Sequence, residues 1–122
     1  MTTKDGVVNF EYKEGVSDTV GLVLKQNGTP IDLTGYSIVF NMKNDLGTVF
    51  TVPCSLGGTK DGVQYTAAQG GCTIEFAAGQ TSVIGEYSGE LVGTLNGIVS
   101  FIIPNGDEYF IVMIYEAIVG VV

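Results

Sequence analysis

The sequence predicts an all-β fold, an antiparallel β-sandwich of about seven to nine short strands. Hydrophobic residues recur with a period of two, which is typical of strands with one buried face. Turn signals containing Gly, Asn or Pro follow one another roughly every 8–12 residues, the spacing of sandwich strands. The 18 glycines also disfavour helices. Because 122 residues suit one domain, we expect residues 1–122 to form a single sandwich.

The segment 25–43 carries the clearest strand signal. It contains the turn Asn27-Gly28, where both residue types tolerate a positive φ. A second bend follows at Thr34-Gly35. Apolar and polar residues then alternate over residues 37–43, which predicts a strand with one face in the core.

Other segments show either the same alternation or a short apolar run between two turn signals. We predict the remaining strands at residues 8–12, 20–24, 48–52, 63–66, 72–76, 87–95, 98–103 and 108–115. Asn96-Gly97 is the strongest hairpin signal in the chain, and it joins two of these strands.

The charge balance narrows the choice of partners. The chain has 13 acidic residues against five basic ones, all Lys, and its net charge is −8. Clustered Arg and Lys bind nucleic acids and anionic membranes, so we expect neither partner. No apolar run reaches the roughly 18–20 residues of a membrane helix. The first residues lack the apolar core of a signal peptide, which indicates synthesis in the cytoplasm.

Catalysis finds little support in the sequence. Without His and Arg most acid–base and phosphoryl-transfer machinery is missing, so we expect no enzyme and no cofactor. Glu86 and Glu90 share a predicted strand face but would lie roughly 13 Å apart, too far for a glycosidase pair. Asp61, Asp107 and Glu108 would form either a calcium site or solvated loop acids. The lack of a spaced acidic loop favours solvated side chains.

Cys54 and Cys72 have two interpretations. A disulfide between them would close a loop of about 18 residues and contribute roughly 3 kcal/mol to stability. Cytoplasmic synthesis instead favours two reduced thiols. A zinc site is disfavoured, because zinc needs four ligands and the chain has no His.

Three segments in order resemble one protein family. They read Gly-Thr-Pro-Ile-Asp-Leu-Thr-Gly at 28–35, Cys-Thr-Ile-Glu-Phe at 72–76 with Ala-Gly-Gln-Thr at 78–81 and Gly-Glu-Tyr at 85–87, and Ile-Pro-Asn-Gly-Asp at 103–107. Together, over about residues 16–115, they resemble the N-terminal immunoglobulin-like domain of upper baseplate proteins in tailed bacteriophages.

The resemblance implies an immunoglobulin-like sandwich that serves as a structural virion protein, a tail or baseplate component made in the host bacterial cytoplasm. Its expected partners are copies of itself and other virion proteins. Within this fold, Tyr87 either forms a tyrosine corner, in which its hydroxyl bonds back to the backbone, or is an ordinary core residue.

The last predicted strands have apolar residues on both faces, which indicates that both faces are covered. The protomer's own core covers one face, and either a loop or a neighbouring subunit covers the other. Residues 116–122 add an apolar C-terminal tail that suits strand addition to a neighbour. The predicted interface residues are Phe110, Val112, Ile114, Ile118, Val119 and Val121.

Two alternative functions remain open at this point. The first is a capsid decoration or head-fibre protein, which belongs to the same structural class. The second is a carbohydrate-binding or adhesive surface module, which would need an exposed aromatic platform. The side chains available for such a platform are Tyr12, Tyr36, Tyr65, Tyr109 and Tyr115.

Overall fold

The computed structural model describes residues 2–4, 7–26, 28–103 and 110–116. These residues form an almost entirely β structure. The strands are β1 (Thr2–Lys4), β2 (Val7–Lys13), β3 (Asp18–Val23), β4 (Lys25–Gln26), β5 (Thr29–Pro30), β6 (Ser37–Asn44), β7 (Val49–Leu56), β8 (Gly58–Lys60), β9 (Val63–Tyr65), β10 (Gly71–Phe76), β11 (Gly85–Leu95), β12 (Ile98–Ile103) and β13 (Phe110–Tyr115). Two short 3₁₀ turns, Ala67–Gln69 and Ala78–Thr81, flank β10.

One nine-stranded sheet holds most of these strands. Its order is β1-β2-β13-β11-β6-β7-β10-β3, and β12 is joined to β11 and to no other described strand. The pairs β4–β5 and β8–β9 form separate two-stranded ribbons. Every pair is antiparallel except β13 with β2, which is parallel.

The sheet folds over on itself at β7. The first part of β7 pairs with β6, whereas its last three residues pair with β10. The orders β6-β11-β13 and β3-β10-β7 are those of strands C-F-G and B-E-D in an immunoglobulin sandwich. The all-β, sandwich-like prediction is therefore confirmed.

Two details differ from the prediction. The described chain has 13 strands rather than seven to nine, because short ribbon and edge segments also pair. One pair is parallel rather than antiparallel: β2, near the start of the chain, lies alongside β13. A parallel pair needs a long connection, and here the whole domain separates the two strands. Alternation within each strand carries no information about such a distant pairing.

A cluster of four phenylalanine rings joins the two layers of the sandwich. Phe10, Phe40 and Phe110 come from β2, β6 and β13, and Phe76 comes from β10 in the opposite layer. The ring centroids lie 5.6–6.2 Å apart in five pairwise contacts. Such offset and edge-to-face contacts stabilise a core beyond simple burial.

Tyr87 forms the tyrosine corner that the sequence left open. Its ring is fully buried near the start of β11. Its hydroxyl donates a 2.7 Å hydrogen bond to the backbone carbonyl of Val83. Burial raises the pKa of this phenol, and a hydrogen bond with Asn44 opposes the shift. The hydrogen bond ties the loop before β11 to the first residues of the strand.

The hairpin between β11 and β12 matches its sequence signal. Asn96 and Gly97 have φ values of 54° and 78°, the two positive values of a type I′ turn. Leu95 and Ile98 form the closing pair of the ladder. The turn therefore places β12 directly beside the end of β11.

Two glycines of β11 lie beneath aromatic rings. A Cβ atom at Gly89 would overlap the ring of Phe40, and one at Gly93 would overlap the ring of Phe101. Neither glycine has a positive φ, so the constraint is space rather than backbone conformation. The missing side chains let both rings lie directly against the strand.

We predict that Gly89→Ala destabilises the fold by about 1–3 kcal/mol, because Phe40 must leave its place in the core. Gly79→Ala is the matched control, since nothing lies within 4 Å of the added methyl group and the backbone there is unstrained. Urea unfolding of both variants measures the difference. Equal midpoints for Gly89→Ala and Gly79→Ala would contradict the close packing of Phe40 on β11.

Candidate assembly surface

The structure separates the predicted interface residues into two groups. Phe110, Val112 and Ile114 alternate along β13 and have 5 %, 0 % and 1 % exposure. They lie in the protomer's own core, so their side chains do not belong to an outer surface. Ile118 and the two valines of the prediction, Val119 and Val121, lie outside the described residues.

The outer face of β13 is only partly covered within the protomer. Ile111 and Met113 are half-buried on this face. Met113 lies between Glu11 of β2 and Glu86 of β11 in the strand register. Polar neighbours therefore flank the apolar residues of β13, and β2 pairs with its far edge.

Strand β12 lacks this protection. Three of its apolar side chains are exposed: Ile98 at 69 %, Val99 at 56 % and Ile102 at 44 %. Within the described part of the chain β12 pairs with β11 on one side, and no strand pairs with its other edge. The backbone N–H and C=O groups along a free strand edge are available to another strand.

An apolar row crosses the outer face of the sheet and ends at β12. Direct register partners bring Pro53, Val39, Val92 and Ile102 side by side across β7, β6, β11 and β12. Pro53 and Ile102 are exposed, and the two valines between them are half-buried. The next row outward adds Val99 opposite Thr94. Exposed apolar residues that form one continuous patch are typical of interaction sites.

We call this patch and the adjoining free strand edge the β12 surface. Its residues are Val39, Pro53, Val92, Ile98, Val99 and Ile102. The sequence did indicate that residues 98–103 are apolar on both faces. The chosen interface residues nevertheless lay on β13 and the tail, because the strand that covers β13 is distant in sequence.

The tyrosines considered for a carbohydrate platform lie on separate elements, as far as the structure describes them. Tyr12 packs on Phe76 and donates a hydrogen bond to Asp18, and Tyr36 packs on Phe101. The other three are placed as follows: Tyr65 lies against Gly21, Tyr115 lies beneath the amino group of Lys13, and Tyr109 is outside the described residues.

Asp18 links the side chains of Tyr12 and Lys60. Its carboxylate accepts a 2.9 Å hydrogen bond from the hydroxyl of Tyr12 and lies 3.2 Å from the amino group of Lys60. Burial, together with this carboxylate, raises the pKa of the Tyr12 phenol.

The described residues contain no cluster of three or more potential metal ligands. Of the acids weighed for calcium, Asp61 is exposed in a turn, and Asp107 and Glu108 lie outside the described residues.

The two cysteines are free thiols on neighbouring strands. Cys54 faces Ile74 and Cys72 faces Leu56, so the thiols are diagonal neighbours on the β7–β10 ladder. Burial raises the pKa of Cys54 to about 12, with further contributions from Cys72 and Glu75. Burial alone raises the pKa of Cys72 to about 11. Neither thiol is activated as a nucleophile.

Comparison with solved structures identifies a related fold. The N-terminal domain of phage TP901-1 ORF48 superposes with a TM-score of 0.57 at 15 % sequence identity. The match covers 90 % of this chain and 85 % of that one. The chain shares the fold of a phage domain. The resemblance drawn from the sequence is therefore confirmed at the level of the fold.

Comparisons by sequence add no relative. No protein-family profile matches the chain, and no curated protein matches it. Among the described residues, no helix is long and apolar enough to cross a membrane. Structural comparison thus detects a shared fold at a sequence identity of only 15 %.

The raised thiol pKa values predict how stability depends on pH. Below about pH 7.5 both thiols are neutral in the folded and unfolded chains, because the pKa of an unperturbed thiol is about 8.5. At higher pH the unfolded chain loses its thiol protons first, so the free energy of unfolding falls until pH passes about 11 for Cys72 and about 12 for Cys54. Urea unfolding between pH 8 and pH 10.5, roughly, measures this slope.

The matched control is Cys54→Ala with Cys72→Ala, which removes both titrating thiols. We expect a shallower decline above about pH 9 than in the wild-type protein. We also expect native wild-type protein at about pH 8 to react with a thiol reagent far more slowly than urea-unfolded protein. Equally fast labelling of the native and unfolded chains would contradict the burial of the thiols.

Proposed function

We propose that the protein is a structural component of a tailed-phage particle, a tail or baseplate element that assembles with copies of itself and with other virion proteins. The observation that carries this proposal is the fold similarity to the N-terminal domain of phage TP901-1 ORF48 over 90 % of the chain. A similar fold at 15 % identity supports a shared structural class. The proposed partners, copies of the protein and other virion proteins, are inferred from the β12 surface.

The β12 surface supports an assembly role. It combines exposed apolar side chains with a free strand edge, two features that an isolated soluble domain normally avoids. The strand itself, Ile98–Ile103, carries no charged residue. The net charge of −8 would keep the remaining surface soluble before assembly.

The chemistry of the chain also favours a structural role over an enzymatic one. The sequence contains no His and no Arg, so general bases and phosphate-binding groups are scarce. Of the two thiols that would be the natural nucleophiles, Cys72 is buried and Cys54 is half-buried, and both have raised pKa values. A non-enzymatic scaffold is therefore part of the proposal.

Immunogold labelling tests where the protein resides. Antibodies raised against the purified protein are applied to phage particles from a strain that carries its gene. We expect label at the tail tip and the protein's peptides in mass spectra of the purified particles. Label on the head would replace the tail assignment with capsid decoration or a head fibre. Absence of both label and peptides from intact particles would overturn the virion proposal.

Sedimentation tests the assembly surface. We predict that wild-type protein forms oligomers at micromolar concentration and that Val99→Lys with Ile102→Lys shifts it to a monomer, because buried lysines would lose their hydration. Val63→Lys is the matched control: Val63 is 52 % exposed on the β8–β9 ribbon, away from the β12 surface. A wild-type monomer at high micromolar concentration would contradict self-assembly. Equal dissociation by all the lysine variants would show that the effect is not specific to β12.

A further inference from the structure

We infer that the free edge of β12 receives the tail, residues 116–122, of a second copy of this chain as an added β-strand. This inference rests on the proposed self-assembly and specifies its geometry. The receiving edge consists of Ile98–Ile103, and the donated strand is Ala-Ile-Val-Gly-Val-Val at 117–122. Strand addition of this kind derives affinity from backbone hydrogen bonds and specificity from side-chain contacts.

The receiving edge requires a partner that is apolar on both faces. On the outer face, an added strand would extend the row that ends at Ile102 and would lie beside Val99. On the inner face it would lie beside Ile98 and the edge of Phe101, which packs against the core. A strand with alternating charged residues would place charges, rather than apolar side chains, beside the apolar residues of one of these faces.

The tail has the chemistry that this edge requires. Residues 117–122 contain no ionisable side chain, and four of the six are β-branched. β-Branched residues fit a pleated strand and favour pairing. Six residues also equal the length of β12. In a protein of net charge −8, an uncharged segment meeting an uncharged strand avoids like-charge repulsion between copies.

The tail cannot cover β12 of its own protomer. Ile114 lies opposite Gly85, whereas β12 begins to pair at Leu91, so the two sites lie about 20 Å apart along β11. Pairing along the whole of β12 would require about 20 Å of additional extended chain. Residues 116–122 span only about 25 Å when fully extended, and β2 occupies the adjacent edge of β13. A tail that pairs along the whole of this edge therefore comes from another copy.

The geometry of β12 favours a donated tail over pairing between two β12 strands. The β11–β12 register shifts between Gly93 and Thr94, which leaves an extra residue, Ser100, in β12. A bulge twists a strand edge and disfavours direct pairing with an identical edge. A separate six-residue segment containing Gly120 can follow the local twist.

Donation from one copy to the next has a consequence for symmetry. The contact joins two different surfaces, so it generates either a closed assembly, of which a dimer with reciprocally exchanged tails is the smallest, or a growing filament. A copy that lacks one of the two surfaces can still act through the other. This property allows a complementation test.

The experiment uses two variants that are defective in different surfaces. One lacks residues 117–122 and keeps β12; the other keeps the tail and carries Val99→Lys with Ile102→Lys. We expect each variant alone to sediment as a monomer. Its affinity for itself should fall at least about 100-fold, the loss expected for two or three apolar contacts. An equimolar mixture is expected to form a one-to-one heterodimer, because the intact tail of one fills the intact edge of the other. Heterodimer formation also establishes that the tail-deleted variant has a folded β12 edge, and a wild-type urea unfolding midpoint establishes that the lysine variant is folded.

The outcomes separate this inference from the proposed function. If the tail-deleted variant alone still self-associates through β12, edge-to-edge pairing replaces tail donation, while self-assembly stands. If both variants are monomeric, their mixture forms no heterodimer and their unfolding midpoints match that of wild type, tail donation is overturned. A wild-type monomer would remove the proposed self-assembly itself. Val63→Lys serves again as the control and should assemble as the wild type does.

Discussion

The central constraint of this fold is the packing of strand β11, which pairs with β6 on one side and with both β12 and β13 on the other. Its first buried side chain, Tyr87, is tied by a hydrogen bond to the loop that precedes it. Further along, Gly89 and Gly93 leave room for the rings of Phe40 and Phe101. Strand β11 is thus tied at its start and paired on both edges, so it sets the positions of the neighbouring strands.

The division of one edge of β11 between two strands explains why the protein carries an exposed edge. Strand β13 takes the first half of that edge and is covered by β2 on its far side. Strand β12 takes the second half, beyond the reach of β2. Among the strands that the structure describes, the same ladder that closes the core thus leaves one apolar strand with a free edge. A domain that functions within an assembly can bury such an edge against a neighbour.

Local signals in the sequence predicted much of the fold correctly. The alternation in residues 37–43 reappears as β6 with Ile38, Phe40 and Met42 in the core. The dipeptide Asn96-Gly97 forms the predicted hairpin turn, because its residue types adopt positive φ at little cost. These features depend on neighbours within a few residues. The choice between tyrosine corner and core residue for Tyr87 required the position of the Val83 carbonyl, which the sequence does not contain.

The amino-acid sequence by itself determined the fold class, the strand periods and the turns, because strand alternation and turn conformation are local properties of the chain. It also indicated an excess of apolar residues in the last third. Only the tertiary structure decided which of those residues face the core. Phe110, Val112 and Ile114 are covered by β2 and by the opposite layer, whereas Ile98 and Ile102 are not. The physical reason is that burial depends on strands far apart in sequence, and a residue's own pattern does not specify which strand will lie beside it.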